Sequence, residues 1–184
     1  MNIAGINYES INDGEGMRTT IFVSGCSHKC PNCHNPQTHD INYGVKFTDE
    51  LQNEIISNIE KRPFISGITL SGGDPLHGNN VSDVFNLITK LKYKFPDKNI
   101  WLYTGYTWNQ IFYPVVTGDF NPERDRIIDC RKKVVEMCDV LIDGRFVEEL
   151  KDLTLKFVGS KNQRVISVQQ TLKENKIILY EGDK

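Results

Sequence analysis

Short apolar runs of strand character alternate with amphipathic helical stretches along this chain, and that alternation restricts its fold more than any other feature. Arg18–Val23 is β-branched and strand-like. Thr48 is placed to cap a helix whose Leu51, Ile55, Ile56 and Ile59 share one face, and Asp49 and Glu50 suit the positive end of its dipole. Ile68, Thr69 and Leu70 make the next strand. Val81, Val84, Phe85, Ile88 and Leu91 line a second helix that Pro96 closes. Residues 100–103 form a buried-type strand, 108–116 a short helix, 117–121 a loop, 123–138 a helix and 140–142 a strand. Two further strands are expected near 164–168 and 176–180. Such alternation implies βαβ units, hence an α/β fold with a mostly parallel sheet. Ligands of such sheets sit beyond the carboxyl ends of the strands. The chain's unusual motifs fall at those ends: a cysteine run after Val23, Gly72-Gly73 after Leu70, and Thr104-Gly105 after Tyr103. One site shared by three loops is the expectation.

The first of these loops carries the chemistry. Cys26, Cys30 and Cys33 form a Cys-x3-Cys-x2-Cys run within eight residues. Four thiolates would complete a tetrahedral zinc site or the usual iron–sulfur cube. Three leave a position open, which is the arrangement of a catalytic site. The spacing admits two site types: an iron–sulfur cluster, or a Cys3His zinc site completed by His28, His34 or His39. Zinc modules usually bring their ligands as two separated pairs, and this run does not. Disulfides fit poorly, because the chain has five cysteines and no mark of secretion. Gly-Gly-Asp-Pro at residues 72–75 is an ordinary turn by itself. Beside the cysteine loop, it becomes a place where bare backbone can approach a small ligand, with Asp74 facing an amine or hydroxyl.

Composition limits the alternatives. With 184 residues, 39% of them hydrophobic and 25% charged, one domain over 1–184 with a single core is expected. A net charge of −2 makes no case for nucleic acid or an anionic membrane. The first ten residues lack the pattern of a signal peptide, and no apolar run reaches the ~18 residues of a membrane span. A cytoplasmic protein with reduced thiols is expected.

Taken together, the cysteine run and the Gly72-Gly73-Asp74-Pro75 turn resemble the radical S-adenosylmethionine (SAM) superfamily, with Asp74 in place of the commoner Glu. Asp13-Gly14-Glu15-Gly16-Met17-Arg18 is similar to the Asp-Gly-Pro-Gly-x-Arg stretch of glycyl-radical enzyme activases, with Glu15 where Pro is usual. The motifs at residues 70–76, 101–106, 141–146 and 159–164 resemble the branch that serves anaerobic (class III) ribonucleoside-triphosphate reductase. The resemblance implies a 4Fe-4S cluster on Cys26, Cys30 and Cys33, with SAM chelating the fourth iron. It further implies a reductase glycine as the target of the 5′-deoxyadenosyl radical, and a low-potential electron donor. The SAM contacts it implies are Asn32, Cys33, His34, Gly72, Gly73 and Asp74. Many members have an aromatic where Asn32 stands, so the adenine contact passes to the Asn32 backbone and to His34. A complete eight-fold barrel takes ~200 residues, so the implied fold is an incomplete, TIM-like β/α barrel whose open side admits a protein substrate.

Within this chemistry the alternative is an activase of another glycyl-radical enzyme, of the pyruvate formate-lyase type, although that pattern has a longer chain. Outside it the alternative is a non-catalytic zinc-binding module. Cys130 and Cys138 read as helix-packing thiols, Trp101 and Trp108 as core or interface, and His28 and His39 as loop-surface residues.

Overall fold

Thr19, Thr20, Ile21 and Val23 carry branched Cβ atoms that suit a pleated surface between two neighbours, and they build a central strand. The computed structural model describes residues 1–182. Its strands are β1 (Asn2–Ser10), β2 (Arg18–Val23), β3 (Val45–Lys46), β4 (Gly67–Gly72), β5 (Asn99–Tyr103), β6 (Val140–Asp143) and β7 (Arg164–Ser167). They form one open sheet in the order β3-β1-β2-β4-β5-β6-β7. The inner run β2, β4, β5, β6 is parallel, as the alternation implied. The flanks are not: β1 is antiparallel to β2 and β3, and β7 is antiparallel to β6.

The helices are α1 (Asp49–Glu60), α2 (Val81–Lys94), α3 (Trp108–Phe112), α4 (Pro122–Glu136) and α5 (Val168–Glu174). The Thr48 hydroxyl caps α1 by accepting from the Leu51 amide, as its position predicts. Because side chains alternate along a strand, the sheet separates two cores. Ile21, Val23, Ile68, Leu70, Ile100, Leu102 and Leu141 are buried in one cluster with Ile55 and Ile59 of α1, Leu87 and Ile88 of α2, and Val134 of α4. Trp101 and Ile142, of the other parity, meet Tyr103, Phe157, Val158 and Tyr180. The major helices therefore cover one face. A segment from the 144–163 connection and part of the tail cover the other.

That second face is braced at the end of the strands remote from the cysteines. Arg18 is fully buried there. Its guanidinium donates to Thr69 Oγ1 (2.7 Å), the Ile68 carbonyl (2.9 Å) and the Asn99 carbonyl (3.2 Å), and lies 5.0 Å from the Trp101 ring centre. One cation so ties β2, β4 and β5, and its burial is compensated by bonds and the aromatic face.

Three boundaries depart from expectation. The 108–116 helix ends at Phe112, because Pro114 disfavours helical backbone in the residue before it. The expected strand at 164–168 stops at Ser167, where α5 begins. Residues 176–180 do not form a strand of the sheet. Leu179 makes one isolated bridge to Ile166, and the Tyr180 amide donates to Val165 (2.9 Å).

Candidate functional site

β2 delivers the chain into the cysteine loop with no room to wander. The Ser24 amide donates to the Asn2 carbonyl (2.9 Å) and the Gly25 amide to Thr38 (2.8 Å), so the loop is pinned at its start and against its own return. Lys29 and Asn32 both adopt left-handed backbone (φ 49° and 52°), sparsely populated for residues with a side chain. They curl the chain on either side of Cys30, and strain of this kind gathers at functional sites.

The Gly-Gly turn after β4 lies directly on this loop. The Gly73 amide donates to the Val23 carbonyl (2.7 Å) and the Asp74 amide to the Gly25 carbonyl (2.9 Å). A Cβ at Gly72 would stand 2.6 Å from the Val23 carbonyl oxygen, and one at Gly73 would stand 2.7 Å from that of Gly25. Only glycine permits the two loops to touch here. After β5, the Thr104 hydroxyl and the Gly105 amide reach the Asp74 carboxylate (2.9 and 3.1 Å). The three strand-end loops thus meet, as their position in the sequence predicted.

Between them opens a cavity of about 350 Å³, within the range that holds small ligands. Cys26, Cys30 and Cys33 line it, as do Asn32, His34, Gly72, Gly73, Thr104 and Gly105. A larger hollow of about 680 Å³ lies at Asn99, Asp139, Val140 and Tyr180, beside the starting ends of β5 and β6, and no cysteine lines it. Burial pushes the Cys26 thiol up to about 11 and raises that of Cys30. Metal binding must displace those protons, since the thiolate is the ligand. Among the described residues, no three His, Cys, Asp or Glu side chains form a group that could hold a metal ion. An iron–sulfur cube makes a different demand, because each cysteine binds its own iron and the sulfurs stand farther apart. Three thiols on the wall of one cavity, beside bare glycine backbone, fit that group.

Comparison with known proteins matches residues 12–166 to the 4Fe-4S single cluster domain family. A protein of Escherichia coli (strain K12) is 40% identical over 154 residues, spanning 83% of this chain and 90% of the relative. One from Vibrio cholerae is 38% identical over 152 residues (82% and 88%), and one from Enterobacteria phage T4 is 36% identical over 155 residues (84% and 86%). All three are named anaerobic ribonucleoside-triphosphate reductase-activating protein. This chain belongs to that family.

For a member of the activating-protein family, the disposition of Asp74 differs from the sequence expectation. Its side chain does not face the cavity. Asp74 is 1% exposed. Its carboxylate accepts from the Leu76 amide (2.8 Å), Thr104 Oγ1, the Gly105 amide and His28 Nε2 (2.6 Å). An oxygen pair with four donors is a scaffold hub, and what the turn offers the cavity is the backbone of Gly72 and Gly73.

His28 and His39 also depart from the surface role expected of them. The His28 side chain is 4% exposed and rests edge-on against Tyr106. His39 is half-buried and lines the cavity. Loop composition hid both. Cys138 is buried beneath α4 with its Sγ toward the Val134 carbonyl, and Cys130 faces the Val81 carbonyl, so both are packing thiols as expected. Trp101 and Trp108 are core residues. The remaining wall was missed: Phe146, Leu153, Phe157 and Val158 come from the connection between β6 and β7. Its conformation is fixed by Gln163, whose Oε1 accepts from the Gly159 amide (3.0 Å) while Nε2 donates to the Gly144 carbonyl (3.0 Å). The motifs at 141–146, which ends on Phe146, and at 159–164 were the signals for it, and composition alone marks the second as a turn.

Proposed function

We propose that this chain is a radical SAM activase that generates a glycyl radical on anaerobic ribonucleoside-triphosphate reductase. A 4Fe-4S cluster bound there would supply one electron to the sulfonium of SAM, giving methionine and a 5′-deoxyadenosyl radical that takes a hydrogen atom from the reductase glycine. The carrying observation is the convergence of the cysteine loop, the Gly72-Gly73 turn and the Thr104-Gly105 strand end on one cavity. The names of the relatives supply the partner.

The chain's own contribution is to bind and orient. Cys26, Cys30 and Cys33 would hold such a cluster by three irons and leave the fourth for the amine and carboxylate of SAM. The backbone of Gly72 and Gly73 receives the ligand amine, while Asn32 and His34 border the adenine side. Phe157 and Val158 form an apolar wall that keeps water from a reactive radical. One-sided helix cover and a parallel core support an incomplete TIM-like barrel over a doubly wound sheet, which has helices on both faces. We read residues 1–184 as a single radical SAM domain. Such a chain works in the cytoplasm with a low-potential electron donor. Among the described residues, no helix is long and apolar enough to cross a membrane.

The test is anaerobic. Reconstituted, dithionite-reduced protein is mixed with SAM and the reductase, then assayed for 5′-deoxyadenosine and for a glycyl doublet by electron paramagnetic resonance (EPR). Both are expected, and both should vanish in Cys30→Ala. Deoxyadenosine without the doublet would reject the partner. Zinc in place of iron, with no cleavage, would reject the chemistry.

A further inference from the structure

His28 lies inside the cysteine loop, two residues from both Cys26 and Cys30, yet its side chain turns inward. Its Nε2 stands 2.6 Å from Asp74 Oδ2. The other partners of that carboxylate, two backbone amides and the Thr104 hydroxyl, are donors. An ionised carboxylate only accepts, so the proton of the His28–Asp74 bond resides on Nε2. The ring is held on its other sides as well. A Cβ on Gly105 would come within 2.3 Å of His28 Cδ2, so the imidazole packs directly against bare backbone. Tyr106 packs edge-on at 4.6 Å between centroids, and Arg131 fixes Tyr106 by a 2.7 Å bond to its hydroxyl. The Asp74 backbone is anchored in turn: its carbonyl accepts from Asn80 Nδ2 (2.9 Å), which also reaches the Ser24 carbonyl (2.8 Å).

We propose that His28 is a positioning residue: its bond to Asp74 clamps the cysteine loop onto the Gly-Gly-Asp turn and so sets the distance between the three thiols and the backbone that receives the SAM amine. This rests on the SAM reading above. Two further observations favour it over plain loop packing. His28 lines the cavity although Asp74 does not. Its Nδ1 is buried with no hydrogen-bond partner among the described residues, so the bond from Nε2 to Asp74 is the ring's polar anchor. The clamp also joins the two loops by side chains, in addition to the backbone bonds from Gly73 and Asp74.

The test uses the reconstituted protein and three variants, His28→Ala, His28→Gln and His28→Asn. Gln carries a donor nitrogen at the same reach as Nε2, whereas Asn is one bond short. Iron and sulfide per chain, SAM affinity, and the change that SAM produces in the EPR spectrum of the reduced protein are measured for each. A hydrogen bond to a charged group is worth roughly tenfold or more in an equilibrium. His28→Ala should therefore keep its iron and bind SAM about tenfold more weakly, with an altered spectral response. His28→Gln should recover most of the affinity, and His28→Asn should not. Should His28→Ala fail to fold, the contrast between Gln and Asn decides. Unchanged affinity in His28→Ala and His28→Asn overturns the clamp, as does iron loss parallel to the loss of SAM binding. Wild-type protein that holds iron but binds no SAM overturns the SAM reading itself.

Discussion

Asp74 sits at the crossing of three loops, and a carboxylate with four donors and almost no exposure has little left to give a ligand. Asp74→Asn brings an amide N–H₂ against groups that are themselves donors. The variant is expected to lose about 1–3 kcal/mol of stability even without cluster or ligand, read by urea unfolding of the apo-protein. A variant as stable as wild type that merely binds SAM weakly would make Asp74 a ligand contact instead. At the neighbouring Gly73, any Cβ meets the Gly25 carbonyl. Gly73→Ala must lift the turn from the cysteine loop, so it should cost about 1–3 kcal/mol and lower the iron bound per chain on reconstitution.

At the level of elements, α2 begins at a residue with two tasks. Asn80 is the N-cap, but its amide makes no cap bond and donates instead to the Ser24 and Asp74 carbonyls. Serine caps helices as well as asparagine does. Asn80→Ser should nonetheless destabilise by about 1–2 kcal/mol in urea unfolding, because the crosslink and not the cap is lost. Beneath α4, burial pushes the Cys138 thiol well above its ordinary range. Above pH ~8.5 the unfolded chain ionises this thiol and the folded chain does not. The unfolded state then holds fewer protons, and stability falls as pH rises. Cys138→Ala should show a shallower decline between pH 8 and 10. The elements were unevenly legible in the sequence. Branched runs such as Arg18–Val23 and the capped, amphipathic α1 declare themselves locally. β1 does not, since Asn2–Ser10 is polar, contains Gly5 and is interrupted by two register shifts against β2. Residues 176–180 mislead in the opposite direction, being apolar enough for a strand but joined to β7 by an isolated bridge at Leu179 and a few backbone bonds beside it. Within the site, the thiols and glycines were readable because their chemistry lies in the motif. The inward turn of His28 was not, because its cause is a carboxylate 46 residues away.

For the whole molecule, the open cavity and its apolar rim bear on the partner. Leu153 is 89% exposed and borders the cavity, the position from which a docked reductase loop would cover it. Leu153→Asp should weaken reductase binding by about tenfold, in keeping with loss of one apolar anchor, while 5′-deoxyadenosine formed without reductase stays unchanged. A titration of glycyl signal against reductase concentration separates the two. The cavity wall is also dispersed along the chain, with its thiols near residue 30 and the segment bearing Phe157 and Gln163 more than a hundred residues later. A ribosome releases these parts in that order. The thiols therefore leave the ribosome well before the Phe157 side of the cavity has been synthesised, and the wall around them is complete only when the 144–163 connection has followed.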